Sequence, residues 1–250
     1  MKEISISITP EIVTNIFGLP ITNSLIASFL TTIVFVTIAY FATRKLKEVP
    51  HGLQNLVEVI VESLFNMVDG VTGDRKQTLQ FFPLVSTIFI FVILSNWMGL
   101  IPGFGSIGFS EVEEGHTAFI PLLRSANSDL NTTLALSIIS VFAVQFFGIF
   151  ALGFSKYAKK FINLKSPISF FVGILELISE ISKLISFSFR LFGNVFAGEV
   201  LLVVIMALIP FVIPVPFFAL ELFVGFIQAL VFSMLTLVFL KMAVTVQEEH

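Results

Sequence analysis

The sequence predicts an all-α integral membrane protein with five membrane-embedded helices and one amphipathic helix at the interface. Of its 250 residues, 56% are hydrophobic and 12% are charged, whereas soluble domains carry about 25% charged residues. A chain with so few charges cannot cover its apolar surface with polar groups, so we expect its helices to lie in lipid. The sequence contains no cysteine, which excludes disulfides, thiolate metal sites and cysteine catalysis.

The first part of the chain contains one predicted span and the predicted surface helix. The apolar residues 24–42 are long enough to cross a bilayer and end at the basic residues 44–47. In residues 51–70, apolar side chains recur at helical spacing while Glu58, Glu62 and Asp69 fall elsewhere. That pattern is typical of an amphipathic helix that lies on the membrane surface.

Four further apolar stretches follow. The predicted spans are residues 79–101, 130–154, 167–209 and 217–244. Residues 102–128 separate the first two of these as an acidic loop, and Pro210 and Pro214 break the chain between the last two. No linker, repeat or low-complexity tract divides the sequence, so residues 1–250 are predicted to form a single membrane domain.

The distribution of basic residues predicts the orientation. Ten of the 14 Lys and Arg residues lie in segments 44–47, 75–76 and 156–165 and at position 241, whereas Lys2 and Arg124 fall on the opposite side. By the positive-inside rule, the N-terminus faces outward and the C-terminus lies in the cytoplasm. The first 20 residues lack a basic segment followed by an apolar one, so no cleavable signal peptide is predicted.

A glycine-rich motif at residues 103–108, GFGSIG, matches the dinucleotide-binding pattern G-x-G-x-x-G. That reading requires a strand before the motif and a helix after it, but here a membrane span precedes it and an acidic loop follows. We therefore interpret the motif as a loop and predict no cofactor and no catalytic constellation in the chain. The net charge of −3 gives no indication of nucleic-acid binding.

Two charges interrupt the apolar residues 184–209, and they are Arg190 and Glu199. Charges at mid-membrane are costly and default to a functional hypothesis; the alternative is a structural ion pair. Nine residues along a helix place the two side chains on opposite faces and about 13 Å apart along the axis. They therefore cannot pair with each other within their own helix.

Small residues follow helical three- and four-residue steps through the position of Arg190. They are Ser179, Ser182, Ser186, Gly193 and Ala197. Small residues let another helix approach closely, so one interpretation is ordinary helix packing. The other is a smooth surface with one cation at its centre, along which a partner can slide.

In an antiparallel hairpin, residues at the same depth have nearly equal index sums. Three polar pairs satisfy this rule: Arg190 with Gln228, Glu199 with Glu221, and Glu176 with Lys241. The sequence therefore predicts a polar pathway between the last two helices.

Arginine stays charged at any relevant pH, so Arg190 cannot carry protons. It can keep a passing carboxylate ionised, since the attraction at about 4 Å and a dielectric of about 20 is about 4 kcal/mol, or roughly three pKa units. Glu199 and Glu221 can share a proton near the outer end of the hairpin. Glu176, Ser179 and Glu180 are candidates for the same role on the cytoplasmic side.

These residues resemble the a subunit of F-type ATP synthases, the stator channel of the membrane sector. The segment FRLFGNVFAGE is close to that family's signature and contains Arg190, Asn194 and Glu199, and GFIQALVF contains Gln228. Residues 128–137, SDLNTTLALS, and the terminal EEH are further similarities. Many members place a histidine opposite the glutamate, whereas both positions are glutamate here.

The resemblance implies a long tilted hairpin packed against a rotor ring of c subunits, with two offset half-channels separated by Arg190. The stripe Ser182, Ser186, Gly193 and Ala197 would then face the rotor. Implied partners are the c-ring, the b-subunit peripheral stalk, the remaining synthase subunits and the lipid bilayer, with no nucleic acid. The implied location is the bacterial inner membrane. A lone secondary transporter or channel is the alternative, although the inverted repeats typical of transporters are absent from the sequence. The coupling ion, H⁺ or Na⁺, is left open.

Overall fold

The structure is a computed structural model that describes residues 9–16, 18–44, 46–101, 103–104, 107–113, 116–161, 166–209 and 212–245. Five of its helices are long and apolar enough to cross a membrane within these ranges, which confirms the predicted fold class. They are α1 (Asn23–Thr43), α3 (Arg75–Gly99), α4 (Leu130–Leu152), α6 (Pro167–Leu208) and α7 (Pro214–Val244). The amphipathic helix is α2 (Leu53–Thr72), which is not among the five candidate spans.

The observed helix ends differ from the predicted ones for local reasons. α3 begins at Arg75 rather than residue 79, because the Asp74 side chain accepts a hydrogen bond from the Lys76 N–H and caps the helix. α7 begins at Pro214, since a proline is favoured in the first turn of a helix. The predicted break at Pro210 and the terminal EEH lie outside the described residues.

The chain after α4 contains a helix that the sequence analysis did not predict. Gly153 ends α4 with a φ of 80°, a conformation that residues other than glycine rarely adopt. α5 (Phe154–Phe161) follows at once and packs against α6. Its basic residues belong to the segment used above to predict orientation.

Two antiparallel hairpins also went unpredicted. β1 (Ile12–Ile16) pairs with β2 (Leu19–Thr22) directly before α1, and β3 (Gly108–Glu113) pairs with β4 (His116–Pro121) inside the predicted loop. A short 3₁₀ helix, Ala126–Ser128, precedes α4. Both hairpins are too short to alter the all-α class.

α7 lies at the centre of the bundle, where it contacts α3, α4 and α6. One apolar cluster joins Phe187 and Leu191 of α6 to Ala229 and Phe232 of α7 and to residues of α2 and α3. Small and polar residues dominate the buried face of α4, which is formed by Thr133, Ser137, Ser140, Val144 and Gly148. Such side chains allow close helix approach in lipid, where hydrophobicity itself does not drive association.

The length of α6 bears on how the protein sits in the membrane. With 42 residues, it is about 63 Å long, whereas the hydrocarbon core is about 30 Å thick. A helix of that length either tilts strongly or extends beyond the core, and the tilted hairpin stays a prediction.

Side chains of α3 hold α7 by its backbone. Asn96 Nδ2 donates to the Gly225 carbonyl oxygen at 3.0 Å, and Trp97 Nε1 donates to the Leu222 carbonyl oxygen at 3.1 Å. Asn127, just before α4, donates to Asn96 Oδ1 at 2.7 Å. These three bonds fix the position of α7 beside the site described next.

Candidate functional site

A cavity of about 490 Å³ lies between α3, α6, α7 and the segment that precedes α4. Its lining brings together four predicted site residues: Asn194, Glu199, Glu221 and Gln228. Arg124, Ser125 and Asn96 add polar groups that the sequence analysis did not assign to a site. The cavity therefore combines two carboxylates, one guanidinium and several amides in otherwise apolar surroundings.

Glu199 is held by Arg124. Arg124 Nε lies 3.1 Å from Glu199 Oε1 and 3.3 Å from Oε2, so one N–H is shared by both carboxylate oxygens. The Arg124 side chain is only 8% exposed, and the ring of Phe196 lies 5.8 Å from its guanidinium carbon. Sequence reasoning treated Arg124 as an outer loop charge; its isolation in an acidic loop was the one signal that could have singled it out.

Glu221 occupies the space beside Gly198. Its carboxylate lies directly against the Gly198 Cα, where a Cβ would collide with it. Only glycine at position 198 leaves room for this arrangement. Glu221 therefore lies at the level of Gly198 on α6, one residue before Glu199. This is close to the depth predicted for the pair.

Gln228 is bonded to Asn194 rather than to the residue predicted at its depth. Asn194 Nδ2 donates to Gln228 Oε1 at 2.7 Å, so the predicted match of Arg190 with Gln228 is displaced by about one helical turn. The Gln228 side chain is buried, and its Nε2 has no hydrogen-bond partner among the described residues. That amide group faces the cavity with an unused donor.

The two residues of the third predicted pair, Glu176 and Lys241, each contact a different partner. Glu176 forms an ion pair with Lys160 at 2.6 Å, because α5 brings Lys160 to the start of α6. Lys241 Nζ instead donates to the Val71 carbonyl oxygen of α2 at 2.7 Å. The sum of two residue numbers predicts which residues of α6 and α7 lie at the same depth, but it takes no account of α5, which carries Lys160.

Glu180 pairs with a residue of its own helix. Its carboxylate accepts from Lys183 Nζ at 2.7 Å, and its second oxygen has no partner among the described residues. Ser179 beside it is half-buried. Glu176, Ser179 and Glu180 thus lie together near the start of α6, about 15 Å or more along the axis from Arg190.

Arg190 lies outside the cavity on an exposed face of α6. Its Nη2 donates to Ser186 Oγ at 3.3 Å, and no ion pair within the described residues involves it. Ser182, Ser186 and Ala197 are exposed on the same stripe, and Gly193 is half-buried. Within the part of the chain that the structure describes, Arg190 is therefore a cation without a carboxylate partner, surrounded by small side chains.

The chain is similar in sequence to known proteins over most of its length. The sequence model of the family described as ATP synthase A chain matches residues 25–241. A protein of Campylobacter jejuni subsp. jejuni serotype O:23/36 (strain 81-176), named ATP synthase subunit a, is 38% identical over 224 residues, covering 88% of this chain and 89% of the relative. Proteins of the same name from Campylobacter fetus subsp. fetus (strain 82-40) and Gloeobacter violaceus are each 35% identical over 228 residues. Each of these alignments covers 91% of this chain, together with 92% and 86% of the respective relatives.

Proposed function

Because the chain belongs to the ATP synthase A chain family, we propose that it carries protons through two offset half-channels that meet a rotor of c subunits at Arg190. The protein is the proton-translocating stator subunit of an F-type ATP synthase and an integral multi-pass membrane protein. It is a proton-channel component of that complex rather than its catalytic subunit, and it works with the other synthase subunits.

The observation that carries the proposal is the exposed Arg190 on its stripe of small residues. A permanent cation in a membrane-embedded helix needs a counter-charge, and this chain provides none among the described residues. A carboxylate on a rotor subunit would supply it as it passes. At about 4 Å and a dielectric of about 20, the attraction of about 4 kcal/mol keeps that carboxylate ionised while it faces Arg190.

The cavity is the proposed outer half-channel. Glu199 and Glu221 would exchange the proton there, and the bonded amides of Asn194 and Gln228 would complete the polar path toward the rotor. Arginine does not release its proton, so protons cannot run directly from this cavity past Arg190. They must leave on the rotor carboxylate.

Glu176, Ser179 and Glu180 are the proposed cytoplasmic half-channel. Lys183 Nζ holds one carboxylate oxygen of Glu180 at 2.7 Å, and the other oxygen, which has no partner among the described residues, offers a site for proton exchange. Because these residues lie toward the start of α6 and the cavity toward its end, the two paths are offset along the helix. Offset access converts proton flow into rotation in one direction.

The same proposal includes the orientation of the chain in the membrane and its contacts with the c-ring and the b subunit. The positive-inside rule places the N-terminus outside and the C-terminus in the cytoplasm of a bacterium's inner membrane. The small-residue stripe of α6 faces the c-ring. The b-subunit peripheral stalk holds the subunit against the turning rotor.

The test is ATP-driven proton pumping in inverted membrane vesicles that contain the whole synthase with Arg190→Ala. We expect pumping to be lost while the complex remains assembled. Arg44→Ala is the matched control, because Arg44 is also exposed but stands over the Tyr40 ring at the end of α1. Normal pumping by Arg190→Ala would remove this residue from the mechanism and favour a transporter that acts alone.

A further inference from the structure

We propose that Glu11, in the segment before α1, is the outermost proton-carrying carboxylate of the outer half-channel and exchanges protons with Glu199 near Arg124. This inference rests on the proposed function, since it adds an entry residue to the outer half-channel. None of the predicted site residues lies in the segment before α1.

The position of Glu11 is fixed by Asn23 at the start of α1. The Asn23 backbone N–H donates to the Glu11 carbonyl oxygen at 3.1 Å, and Asn23 Nδ2 donates to Glu11 Oε2 at 3.3 Å. Asn23 Nδ2 also reaches the Pro121 carbonyl oxygen at 3.3 Å. Asn23 is fully buried, so this junction holds the segment of Glu11 firmly against the chain that leads to Arg124.

The same segment covers the guanidinium. Arg124 Nη1 donates to the Thr9 carbonyl oxygen at 3.4 Å, two residues before Glu11, while its Nε holds Glu199. Arg124 therefore bridges the segment that carries Glu11 and the helix that carries Glu199. The side chain of Glu11 is half-buried, so it remains in contact with water.

The charges around Glu11 suit proton exchange. Burial raises the pKa of the Glu11 carboxyl above its ordinary value, the Arg124 guanidinium opposes this rise, and the charge of Glu199 adds to it. The charges of Arg124 and Glu199 thus both act on Glu11, whereas the ion pair of Arg124 is with Glu199. When one of the two carboxylates is neutral, Arg124 stabilises the charge of the other.

The remaining acidic groups nearby have other roles. Asp129 accepts from Ser24 Oγ at 2.8 Å and from the Asn131 N–H at 2.9 Å, so it caps α4. Glu221 lies deeper, against Gly198. Among the acidic side chains that the structure describes, Arg124 is paired with Glu199 and acts through its charge on Glu11.

The proposed step conserves protons and charge. A proton from the outer water binds the Glu11 carboxylate and makes it neutral, while Arg124 stays paired with Glu199. The proton then passes through water to Glu199, and Glu11 returns to its charged form beside Arg124. Arg124 keeps its own protons throughout.

The experiment measures ATP synthesis by inverted vesicles that contain the whole synthase, at a fixed K⁺ diffusion potential and a series of luminal pH values. The lumen then corresponds to the outer side. With Glu11→Gln, which keeps an acceptor for Asn23, we expect the luminal pH of half-maximal rate to fall by about one unit, equal to a tenfold higher proton concentration. Glu11→Asp restores a titratable group, so its luminal pH of half-maximal rate should lie close to that of the unaltered chain.

Glu48→Gln, which removes an exposed carboxylate beyond the other end of α1, is the control and should leave the profile unchanged. An unshifted profile for Glu11→Gln overturns the inference, and so does an equal loss at every pH, which indicates a structural role. Glu199→Gln is measured in parallel. If Glu199→Gln abolishes synthesis while Glu11→Gln behaves as the unaltered chain, the inference alone fails; if both behave as the unaltered chain, the proposed half-channel fails.

Discussion

Replacing Gly198 by alanine tests whether the position of the Glu221 carboxylate matters for proton transfer. The added methyl group would fall on that carboxylate, and carbon atoms in contact need about 3.5 Å or more. Gly198 lies inside a 42-residue helix, so the flexible Glu221 side chain must give way rather than the backbone. We estimate a displacement of about 1.5 Å from this contact distance.

The stability of the helix should not suffer, because alanine is favoured over glycine in a helix interior by about 1 kcal/mol. A misplacement of about 1 Å can reduce a reaction rate by about 10²-fold. We therefore expect Gly198→Ala to assemble normally and to lower proton-driven ATP synthesis by about tenfold to a hundredfold. The rate in inverted vesicles, divided by the amount of assembled synthase, measures this effect.

Two other helical glycines allow a comparison, with Gly70 as the matched control and Gly193 as a separate test of the rotor-facing stripe. Within the described residues, a Cβ on Gly70 or Gly193 meets no atom within 4 Å. Gly70→Ala on α2 should be silent. Gly193→Ala should also slow synthesis, because its methyl group would project from the proposed rotor-facing stripe into the partner. A normal rate for Gly198→Ala would refute the reasoning about Glu221, and a normal rate for Gly193→Ala would argue against rotor contact at that position.

Two further predictions concern Arg124 and Tyr157. Arg124→Gln and Glu199→Gln should each slow ATP-driven pumping. The double variant should be no slower than the worse single variant, because residues that form a pair couple by about 0.5–3 kcal/mol. Additive losses in the double variant would contradict the ion pair. Burial, with smaller contributions from Glu180 and Glu176, raises the pKa of Tyr157 from 10.0 to about 12. The neutral hydroxyl, which donates to Gln145 at 2.6 Å, therefore stabilises the fold fully below pH 10, and this contribution is lost as the pH rises toward 12. The thermal unfolding temperature should fall across that window in the unaltered protein and less in Tyr157→Phe; equal profiles would contradict the shift.

The sequence was sufficient to predict the five candidate spans among the described residues, because the signal of an apolar span is strong. A bilayer requires about 20 apolar residues and penalises charge, so the stretches that became α1, α3, α4, α6 and α7 were visible from composition alone. The surface helix α2 was equally visible from its periodicity. What composition could not predict was α5, because eight residues with three lysines resemble a polar connection when the Gly153 turn is unknown.

The site was predictable only in part, and the reason is the range of the interactions. Glu199, Glu221, Asn194 and Gln228 lie on two consecutive helices, α6 and α7, so their depths follow from helical geometry. Arg124 reaches Glu199 across 75 positions of sequence, and no local pattern indicates that contact. The hairpin of α6 and α7 could thus be aligned from sequence, whereas the loop that completes the cavity could not.

The way α3 holds α7 also bears on how this protein can evolve. Asn96 and Trp97 bind the carbonyl oxygens of Gly225 and Leu222, and a carbonyl oxygen is present whatever side chain the residue carries. Mutation can therefore exchange the side chain at a position such as 221 without releasing the helix from its support. Substitutions can therefore change the acid–base chemistry of α7 during evolution while the two hydrogen bonds that support the helix are kept.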